Sequence, residues 1–529
     1  MKEKFFGRQD CLNILHKRVN GLKQGYRQNI AIVGDELIGK TSIIYKLINN
    51  HYDPCTIIVY LQARPEALNL FAKRFIGVLL YNFLLNSGID LKEDLNFLIN
   101  KSQRYIPITI EKVRFILNSL EKRKKNNIFP ELLSLSEIIN QETGKSCVVI
   151  FDEFHNLESM GIKNLYAEWS KVLMTQKTTM YIITSSMKFK TRAILSKNLS
   201  LLFGNFELME VEPFDVRTSE EYLCRKFSEL SLEPGIKNFI VNFTGGYPFY
   251  LELITDAMLK PGHQDVVDVL ENLLFESSGI LNQKFSNYLK RFLDSNYNQQ
   301  YLSILYLVAS GHNKVKDVAH LAHLAKKDLS ARINSLLEFD ALSKHGDFLK
   351  INDRIFAFWL KFVYQEKINS LTFDARNQKS IFRAYVENNL MEFLKNSGRP
   401  ITERLTELLH LFSDDTLQID KKRLRLSHFR EIKPLEFTNR NLKDGLIGRS
   451  SDSLWIIAFK HDLLTEEDVA DFAKECKRYR HKMQKKIIVS LKDIDANARL
   501  RALEEKILTW DLNNLNQLLD LFSKPRVIA

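Results

Sequence analysis

A phosphate-loop pattern near the start of the chain constrains its fold more than any other feature. Residues 29–47 read NIAIVGDELIGKTSIIYKL, in which Gly34, Gly39, Lys40 and Thr41 complete G-x-x-x-x-G-K-[ST]. An apolar strand precedes the loop and a helix follows it, a context that favours nucleotide binding over an ordinary glycine turn. Glycine lets the backbone approach phosphate oxygens closely, and the helix points its positive end at the anion. The sequence therefore predicts phosphate binding here.

Each position of the loop has an expected task. Lys40 reaches the β- and γ-phosphates and acts in hydrolysis, and the Thr41 hydroxyl ligates Mg²⁺. ATP and Mg²⁺ are thus the expected cofactors. The other expected nucleotide-binding positions of the loop are Gly34, Asp35, Glu36, Leu37, Ile38, Gly39 and Ser42.

A second stretch, residues 146–154, reads SCVVIFDEF and ends an apolar strand with two carboxylates. Such a strand emerges beside the phosphate loop, so Asp152 is expected to hold Mg²⁺ through a water. Glu153 is then placed to orient or deprotonate the attacking water. Two acids after a strand would otherwise predict a solvated turn, and the upstream loop argues against that interpretation.

Further apolar strands at 56–61, 180–184 and 206–211, each followed by helical sequence, predict an α/β fold with a doubly wound parallel sheet. Ser185 and Ser186 follow the strand at 180–184. In P-loop ATPases of this broad type a polar residue there senses the γ-phosphate, although serines are also common in turns. Residues 65–140 exceed what a crossover needs, and they are either a partner surface or helical padding.

The length of 529 residues predicts three or four domains. Lys and Arg number 76 against 64 Asp and Glu, a net charge of +12 that suggests an anionic partner. The five cysteines include no C-x-x-C pair, which argues against a zinc site or a disulfide framework. No signal peptide or membrane span is evident, so we expect a soluble cytoplasmic protein with no membrane partner.

Two segments resemble parts of known ATPases. Residues 6–9, FGRQ, resemble the F-x-G-R entry of AAA+ and signalling ATPases, which implies that the segment with Arg8 packs against adenine. Residues 243–252, FTGGYPFYLE, resemble the G-x-P segment of the helical lid in AAA+-like and STAND ATPases. That resemblance places Pro248 at the nucleotide, whereas the alternative is a plain helix start with proline in its first turn.

Helical sequence at 301–309, 315–322 and 327–337, followed by a hairpin at 341–351, gives the order of a winged helix. A DNA-binding version places its third helix in the major groove. Winged helices also dock proteins, and Glu338 and Asp340 weaken the basic face, so both uses stay open. The candidate DNA contacts on that helix are Lys326, Lys327, Ser330, Arg332 and Asn334.

Residues 351–364, INDRIFAFWLKFVY, resemble a segment of archaeal-type P-loop ATPases that carry a winged helix and a C-terminal domain related to restriction endonucleases. The resemblance covers the whole chain in domain order. It also implies an arginine near 202–205, where this chain has Phe203, Gly204 and Asn205, so a slow switch is as plausible as a motor. The aromatic residues expected in the core are Phe356, Phe358, Trp359 and Phe362.

The last domain begins near Asp420 with the basic run 421–433, which could lie on a phosphate backbone or form a solvated edge. Strands at 454–459, 487–491 and 506–509 and a basic helix at 469–485 fit an endonuclease-like fold. Its metal site needs two acids and a lysine. By spacing, Asp444 and Lys460 take two of these places, but Ala458 occupies the third, so the site is predicted to be broken.

The expected domains are an ATPase domain (1–212), a helical lid (213–295), a winged helix (296–370), a helical linker (371–419) and an inactive endonuclease-like domain (420–529). The first functional hypothesis is an ATP-hydrolysing switch that acts with double-stranded DNA. The second is a nucleotide-dependent signalling or defence scaffold that binds proteins. The third is an ATP-regulated nuclease, which would need Glu436 or Asp452 as a replacement ligand. A homo-oligomer or a partner protein is a further candidate.

Overall fold

The computed structural model describes residues 5–51, 53–89, 92–122, 127–200, 206–228, 232–262, 265–293, 298–369, 374–419, 422–437, 442, 444–479 and 484–528. The chain divides into two compact units, Met1–Pro213 and Phe214–Ala529. Each unit contains one five-stranded sheet.

The sheet of the first unit is entirely parallel, with the strand order β2-β3-β4-β1-β5. Every residue of β1 and β4 is buried, as expected where helices cover both faces of a sheet. The predicted doubly wound α/β fold is therefore confirmed. The strands are β1 Asn29–Val33, β2 Thr56–Gln62, β3 Ser146–Asp152, β4 Thr179–Ser185 and β5 Phe206–Glu210.

Eight α-helices and one 3₁₀ helix are described in the first unit, and α1 buries one apolar face, formed by Leu12, Leu15, Val19 and Leu22. The long stretch between β2 and β3 forms four helices, α3 to α6, that share one apolar core with the sheet. The helices are α1 Gln9–Lys23, α2 Lys40–Asn49, α3 Leu68–Asn86, α4 Leu95–Ser102, α5 Pro107–Glu121, α6 Ile128–Thr143, the 3₁₀ helix Phe154–Met160, α7 Leu165–Thr175 and α8 Lys188–Lys197.

Among the described helices, α3 is long and apolar enough to pass a length-and-composition test for a membrane span. Half of its most apolar window is buried, and its aromatic side chains lie in the core. The rings of Phe71 and Phe75 lie 6.2 and 6.4 Å from the ring of Phe151 in β3. Packing against the sheet thus accounts for the apolar composition of this helix.

The second unit opens with helices, continues with a helix–helix–helix–hairpin segment and ends with a mixed sheet. Its first elements are α9 Val216–Lys226, α10 Pro234–Thr244, α11 Pro248–Met258, α12 Val266–Leu274, α13 Ile280–Leu293, α14 Asn298–Ala309, α15 Val315–Leu321, α16 Lys326–Glu338, β6 Leu342–His345, β7 Phe348–Ile351, α17 Arg354–Trp359, a π-helical turn Leu360–Tyr364, α18 Gln365–Asn369, α19 Ala375–Ser397 and α20 Ile401–His410. The segment from α14 to β7 has the predicted winged-helix order, and β6 pairs with β7 antiparallel.

The C-terminal sheet has the order β10-β11-β12-β13-β14, antiparallel from β10 to β12 and parallel from β12 to β14. A separate hairpin, β8–β9, precedes it. The elements are β8 Asp415–Ile419, β9 Lys422–Leu426, β10 Glu431–Glu436, β11 Asp444–Arg449, β12 Leu454–Lys460, α21 Glu466–Cys476, β13 Gln484–Ser490, α22 Ala496–Glu504, β14 Ile507–Trp510 and α23 Leu512–Leu521.

The bounds predicted for the basic helix, 469–485, are wrong. The helix is α21, whose first turn is acidic, and it ends at Cys476, while Gln484 already begins β13. The apolar run 487–489 belongs to a strand paired on both sides, and that pairing determines where the helix must stop. Asp420, near which the last domain was expected to begin, lies outside the described residues, as do Lys421 of the predicted basic run and Arg480 of the predicted basic helix.

The prediction that the aromatic residues of the 351–364 segment lie in the core is confirmed in part. Phe356 and Trp359 are buried, whereas Phe358 and Phe362 are half-buried. The Trp359 indole donates a hydrogen bond to Asn282 Oδ1 at 3.0 Å, so its polar edge has a partner.

Candidate nucleotide site

The phosphate loop runs between the end of β1 and the start of α2. The Gly34 amide donates to the Ser185 carbonyl at 3.2 Å, and a Cβ at Gly34 would lie 2.5 Å from the Val211 carbonyl oxygen. A side chain at this position would therefore force the loop away from β5. Gly39, with φ +99°, precedes α2 in the left-handed region that favours glycine.

Lys40 lies at the first position of α2 with its side chain only 4% exposed. Its Nζ donates to the carbonyls of Gly34 at 3.1 Å and Asp35 at 2.9 Å, and lies 3.4 Å from Glu153 Oε1. The ammonium is thus held inside the loop by backbone dipoles and one carboxylate. That position suits a cation that must meet phosphate oxygens.

Asp152 ends β3 and is almost fully buried. Its Oδ2 accepts from Thr41 Oγ1 at 3.0 Å and from the Tyr60 hydroxyl at 2.8 Å, and its Oδ1 accepts from Thr184 Oγ1. Three hydroxyl groups from three elements therefore fix one carboxylate beside the loop. Burial, with the hydrogen bonds to Tyr45 and Asp152, raises the pKa of Tyr60, so the phenol keeps its proton and remains a donor.

Glu153 is the next residue and has a left-handed backbone, with φ +53°. Its amide donates to Thr184 Oγ1 at 3.0 Å. Its Oε2 accepts from the amide and the hydroxyl of Ser186, both at 2.8 Å, while Oε1 faces Lys40. Both carboxylate oxygens therefore have partners that fix the direction of the side chain.

Ser185 is buried at the end of β4 and hydrogen-bonds a residue that the sequence did not single out. Its Oγ lies 2.9 Å from His155 Nδ1 and accepts from the Met187 amide at 3.1 Å. Burial lowers the pKa of His155 below its ordinary value of 6.5, although the nearby Glu153 opposes the shift. A neutral ring is therefore favoured beside Glu153 Oε2, which lies 3.5 Å away.

Besides His155, three contributors to this site were not predicted from the sequence, namely Tyr60, Thr184 and Lys188. Tyr60 lies inside β2 and reaches Asp152 only because β2 pairs with β3. Thr184 directly precedes Ser185, and a search for every polar residue at that strand end would have found it. Lys188 Nζ lies 2.6 Å from Asp35 Oδ1, a contact between α8 and the loop that no local pattern indicates.

The remaining predicted positions of the first unit lie near the loop or within it. Arg8 has φ +62°, and its guanidinium donates to the Glu212 carbonyl, just after β5. Within the loop, Leu37 also has a positive φ, +63°, and Ile38 is buried. Glu36 and Ser42 are exposed. Residues 202–205, where an arginine was expected, lie outside the described residues.

Pro248 belongs to the second unit, where it is the first residue of α11. Its place there fits the favoured use of proline at a helix start. Gly246, two residues earlier, has φ +82°, and its Cβ would lie 2.1 Å from the Phe214 carbonyl oxygen. Glycine is therefore required at 246 by the packing of the second unit itself.

The residues proposed from spacing for a C-terminal metal site do not converge. Because side chains alternate along a strand, Asp444 lies on the same face of the sheet as Leu446, and Lys460 lies on the same face as Ala458. Leu446 and Ala458 belong to different apolar clusters, so Asp444 and Lys460 lie on opposite faces. Lys460 Nζ instead pairs with the buried Asp468 at 3.1 Å. In the described part of the chain, no group of three His, Cys, Asp or Glu side chains could hold a metal ion.

The two acids considered as replacement ligands are also placed elsewhere. Glu436 pairs in register with Asp444, and both are exposed. Asp452 pairs with Arg425 at 3.0 Å and accepts from Ser450 at 2.9 Å. These contacts give the described residues of this sheet no converging set of carboxylates.

On the winged-helix segment, four of the five candidate DNA contacts point away from the core. Lys326, Lys327, Ser330 and Asn334 are exposed on α16. Arg332 is half-buried, and its Nε donates to Gln300 Oε1 at 2.9 Å. The face opposite these exposed residues buries Leu329, Ile333 and Leu336.

Comparison with known proteins gives the ATPase part a family. Residues 5–254 match the family described as an ATPase domain predominantly from Archaea. An uncharacterised ATP-binding protein of Methanocaldococcus jannaschii is 24% identical over 307 residues, which cover 54% of this chain and 76% of that protein.

Solved structures with a similar fold include the Walker-type ATPase of Pyrococcus abyssi, with a TM-score of 0.48 and 20% identity over 68% of this chain and 97% of that one. The Aeropyrum pernix ORC2 protein has a TM-score of 0.41 and 10% identity over 74% of this chain and 96% of that one. The family match over residues 5–254 and the parallel sheet that carries the phosphate loop together support an ATPase domain of the archaeal P-loop type in this part of the chain.

Proposed function

We propose that this protein binds ATP with Mg²⁺, hydrolyses it slowly and acts as a nucleotide-driven switch on double-stranded DNA. The observation that carries the proposal is the pairing of the phosphate loop with the two acids. Lys40 lies 3.4 Å from Glu153, and Thr41 donates to Asp152 at 3.0 Å. The same four residue types have these tasks in phosphoryl transfer, where catalysis is mostly positioning and charge stabilisation.

Thr41 and Asp152 fit Mg²⁺, because a hydroxyl and a carboxylate oxygen are ligands that this ion accepts alongside phosphate and water. When bound, Mg²⁺ would neutralise negative charge on the phosphates. Glu153 would orient or deprotonate the attacking water, and Lys40 would hold the phosphates. Ser185 would act indirectly, through the His155 ring that it fixes beside Glu153.

Two features support slow hydrolysis. Glu153 has two donors from Ser186 on one oxygen and Lys40 near the other, and these contacts stabilise its charged form and so weaken it as a base toward water. The sequence also has Phe203, Gly204 and Asn205 where related ATPases carry an arginine. Charge stabilisation by an arginine would then have to come from a second copy or another protein.

Support for DNA as the partner comes from α16 and from the overall charge. The exposed residues Lys326, Lys327, Ser330 and Asn334 combine positive charge with donors and acceptors suited to phosphates and base edges. The net charge of +12 favours an anionic partner.

The experiment that tests the proposal is the ATPase rate of the purified protein with and without duplex DNA, measured across a salt series. We expect slow Mg²⁺-dependent hydrolysis that duplex DNA changes, with an effect that weakens steeply as salt rises because phosphate contacts release counterions. A double Lys326→Gln/Lys327→Gln variant should lose most of the DNA effect and keep the basal rate. Absence of any Mg²⁺-dependent hydrolysis would refute the enzymatic part.

A protein-binding scaffold is the second candidate, and one observation favours it. The α4–α5 region exposes Tyr105, Ile108 and Phe115, three large apolar side chains, although their charged neighbours are also in solvent. A salt-independent ATPase rate with no duplex binding would favour this scaffold over the DNA-linked switch.

A further inference from the structure

A buried ion cluster in the second unit contains more positive than negative charge. Asp520 of α23 lies at its centre, with its Oδ2 2.8 Å from Lys350 Nζ in β7. Arg526 contacts both Asp520 oxygens, Nε at 3.1 Å and Nη2 at 2.7 Å, and Arg354 of α17 donates to Oδ1 through Nη1. We call these four residues the Asp520 cluster.

The charges of the Asp520 cluster do not cancel. Among the residues that the structure describes, Asp520 is the only carboxylate within ion-pair distance of Lys350, Arg354 or Arg526. With all three bases protonated, three cations against one anion leave a net charge of +2. Burial and the neighbouring arginines lower the pKa of Lys350, so a further anion would favour its charged form. Burying charge without compensation is costly, so an arrangement of this kind is stabilised by a further anion.

The exposure of the four side chains shows where such an anion would bind. The Asp520 side chain is 3% exposed, whereas the three cations are 18–25% exposed. The carboxylate therefore forms the floor, and the cations form the side that solvent reaches. Within the described chain, Arg354 Nε and Nη2 and Arg526 Nη1 have no hydrogen-bond partner, so donors remain on that side.

Gly245 packs against the two arginines of the Asp520 cluster. A Cβ at this position would lie 3.1 Å from Arg354 Cδ and 3.6 and 3.7 Å from the two Nη atoms of Arg526. Gly245 has φ +64° and ends α10, a position where glycine is favoured for the backbone alone. A side chain at position 245 would therefore crowd Arg354.

The C-terminal segment that carries Arg526 is held by hydrogen bonds on both sides of that residue. Arg404 donates to the Pro525 carbonyl at 2.6 Å, and the Arg526 amide donates to Asn242 Oδ1 at 3.0 Å. Asn516 exchanges two hydrogen bonds with the Val527 backbone, at 2.8 and 2.9 Å. The guanidinium is thus positioned before any ligand arrives, which lowers the entropic cost of binding.

Asp520 itself remains ionised. Burial alone would raise its pKa, but Arg354, Arg526 and Lys350 hold the pKa well below its ordinary value. The carboxylate therefore orients the three cations across the neutral pH range. Because Asp520 keeps its negative charge, the excess of positive charge in the cluster does not increase.

We propose that the Asp520 cluster is a binding site for a phosphate-class dianion. A phosphate group carries about −1.5 to −2 at pH 7, which matches the uncompensated charge. Guanidinium groups bind tetrahedral oxyanions through paired N–H donors, and a lysine adds a point charge. The anion would connect β7, α17 and the C-terminal segment, and so would stabilise the second unit. Free phosphate and a phosphate of nucleic acid share this chemistry.

The test is equilibrium dialysis of radiolabelled inorganic phosphate against the full-length Lys40→Ala variant, in which the phosphate loop contributes little. Ionic strength is held constant with chloride. We expect a single saturable phosphate per chain. Arg354→Gln or Arg526→Gln, added to this background, should weaken binding by about tenfold or more, the effect of losing a charge-assisted hydrogen bond. Lys260→Gln removes a positive charge from an exposed position to which no binding role is assigned, and should leave the affinity unchanged.

Arg526→Lys serves as a second variant, because it keeps the charge and removes the planar fork, and it should also bind more weakly. Circular dichroism establishes that each variant is folded. Competition with duplex DNA separates the two sources. Phosphate binding that duplex DNA leaves unchanged supports a free anion as the ligand. Displacement of phosphate by duplex DNA, when it requires Arg354 and Arg526, supports a nucleic-acid phosphate. No saturable phosphate in folded Lys40→Ala protein, or equal affinity in Arg354→Gln, Arg526→Gln and Lys260→Gln, would overturn the proposal.

Discussion

The two sheets of this protein both end strands in charged residues, yet only the first brings such residues together. In the first sheet all strands are parallel, so the phosphate loop after β1, Asp152 at the end of β3 and Ser185 at the end of β4 lie at the same edge. In the second sheet Asp444 begins β11 and Lys460 ends the antiparallel strand β12, so both lie at one edge of the sheet, but on opposite faces. Charged residues can share a ligand only when they lie at the same edge and on the same face.

The partners of the charged residues show the same difference. Asp152 receives three hydroxyl donors beside a loop built to approach phosphate. Lys460 is paired with Asp468, which also caps α21, so its charge is used for structure. A residue type at the right spacing is therefore weak evidence for a site until its neighbours are known.

Among the variants that test this comparison of the two sheets, Lys40→Ala is expected to have the largest effect. Removing the ammonium should lower kcat/KM for ATP by about 100-fold or more, as for other single groups that stabilise transition-state charge. Steady-state ATPase assays measure this change. Lys197→Ala, an exposed lysine at the end of α8, is the matched control and should keep the wild-type rate. Normal activity in Lys40→Ala would contradict the assignment of the first site.

Glu153 and Asp152 should differ when each is made neutral. Glu153→Gln should bind ATP with Mg²⁺ and slow hydrolysis by about 100-fold or more, because the base is lost. Asp152→Asn should instead weaken Mg²⁺-dependent nucleotide binding. Binding is measured with a fluorescent ATP analogue across a Mg²⁺ series. If both variants show one and the same defect, the two acids do not have separate tasks.

In the second sheet, Asp468→Ala should destabilise the protein without slowing ATP hydrolysis. Removing this carboxylate breaks the largely buried pair with Lys460 and removes a cap from α21, and breaking such a pair costs about 3–5 kcal/mol. Urea unfolding measures the change. A Lys460→Met/Asp468→Ala double variant should recover part of the loss, because it also removes the ammonium that Asp468 faces. Loss of ATPase activity in the folded Asp468→Ala protein would show that Asp468 has a role beyond structure.

The smallest expected effect concerns cleavage of DNA. Because the described acids of the second sheet do not converge, the purified protein should not cut DNA with Mg²⁺ or Mn²⁺, whether or not ATP is present. Gel assays on supercoiled plasmid give a sensitive measurement. Metal-dependent cleavage that disappears in Asp444→Ala would show that the second sheet holds an active site after all.

Local patterns predicted the parts of the fold and site that depend on adjacent residues. The phosphate loop, the acidic strand end and the parallel sheet follow from spacing and from apolar runs. Tyr60 could not be predicted, because its hydroxyl reaches Asp152 only through the pairing of β2 with β3. Asp444 and Lys460 were grouped wrongly because a shift of one residue changes the face of a strand. The division into five domains stays a prediction.

The backbone of Glu153 has a consequence for protein engineering. A left-handed conformation costs a non-glycine residue about 1–2 kcal/mol. Glycine or asparagine at 153 would relieve that strain, so a screen that rewards heat resistance alone would favour variants that have lost the carboxylate. Thermostable versions of this protein should therefore be selected under a requirement for ATP turnover, or with residue 153 held constant.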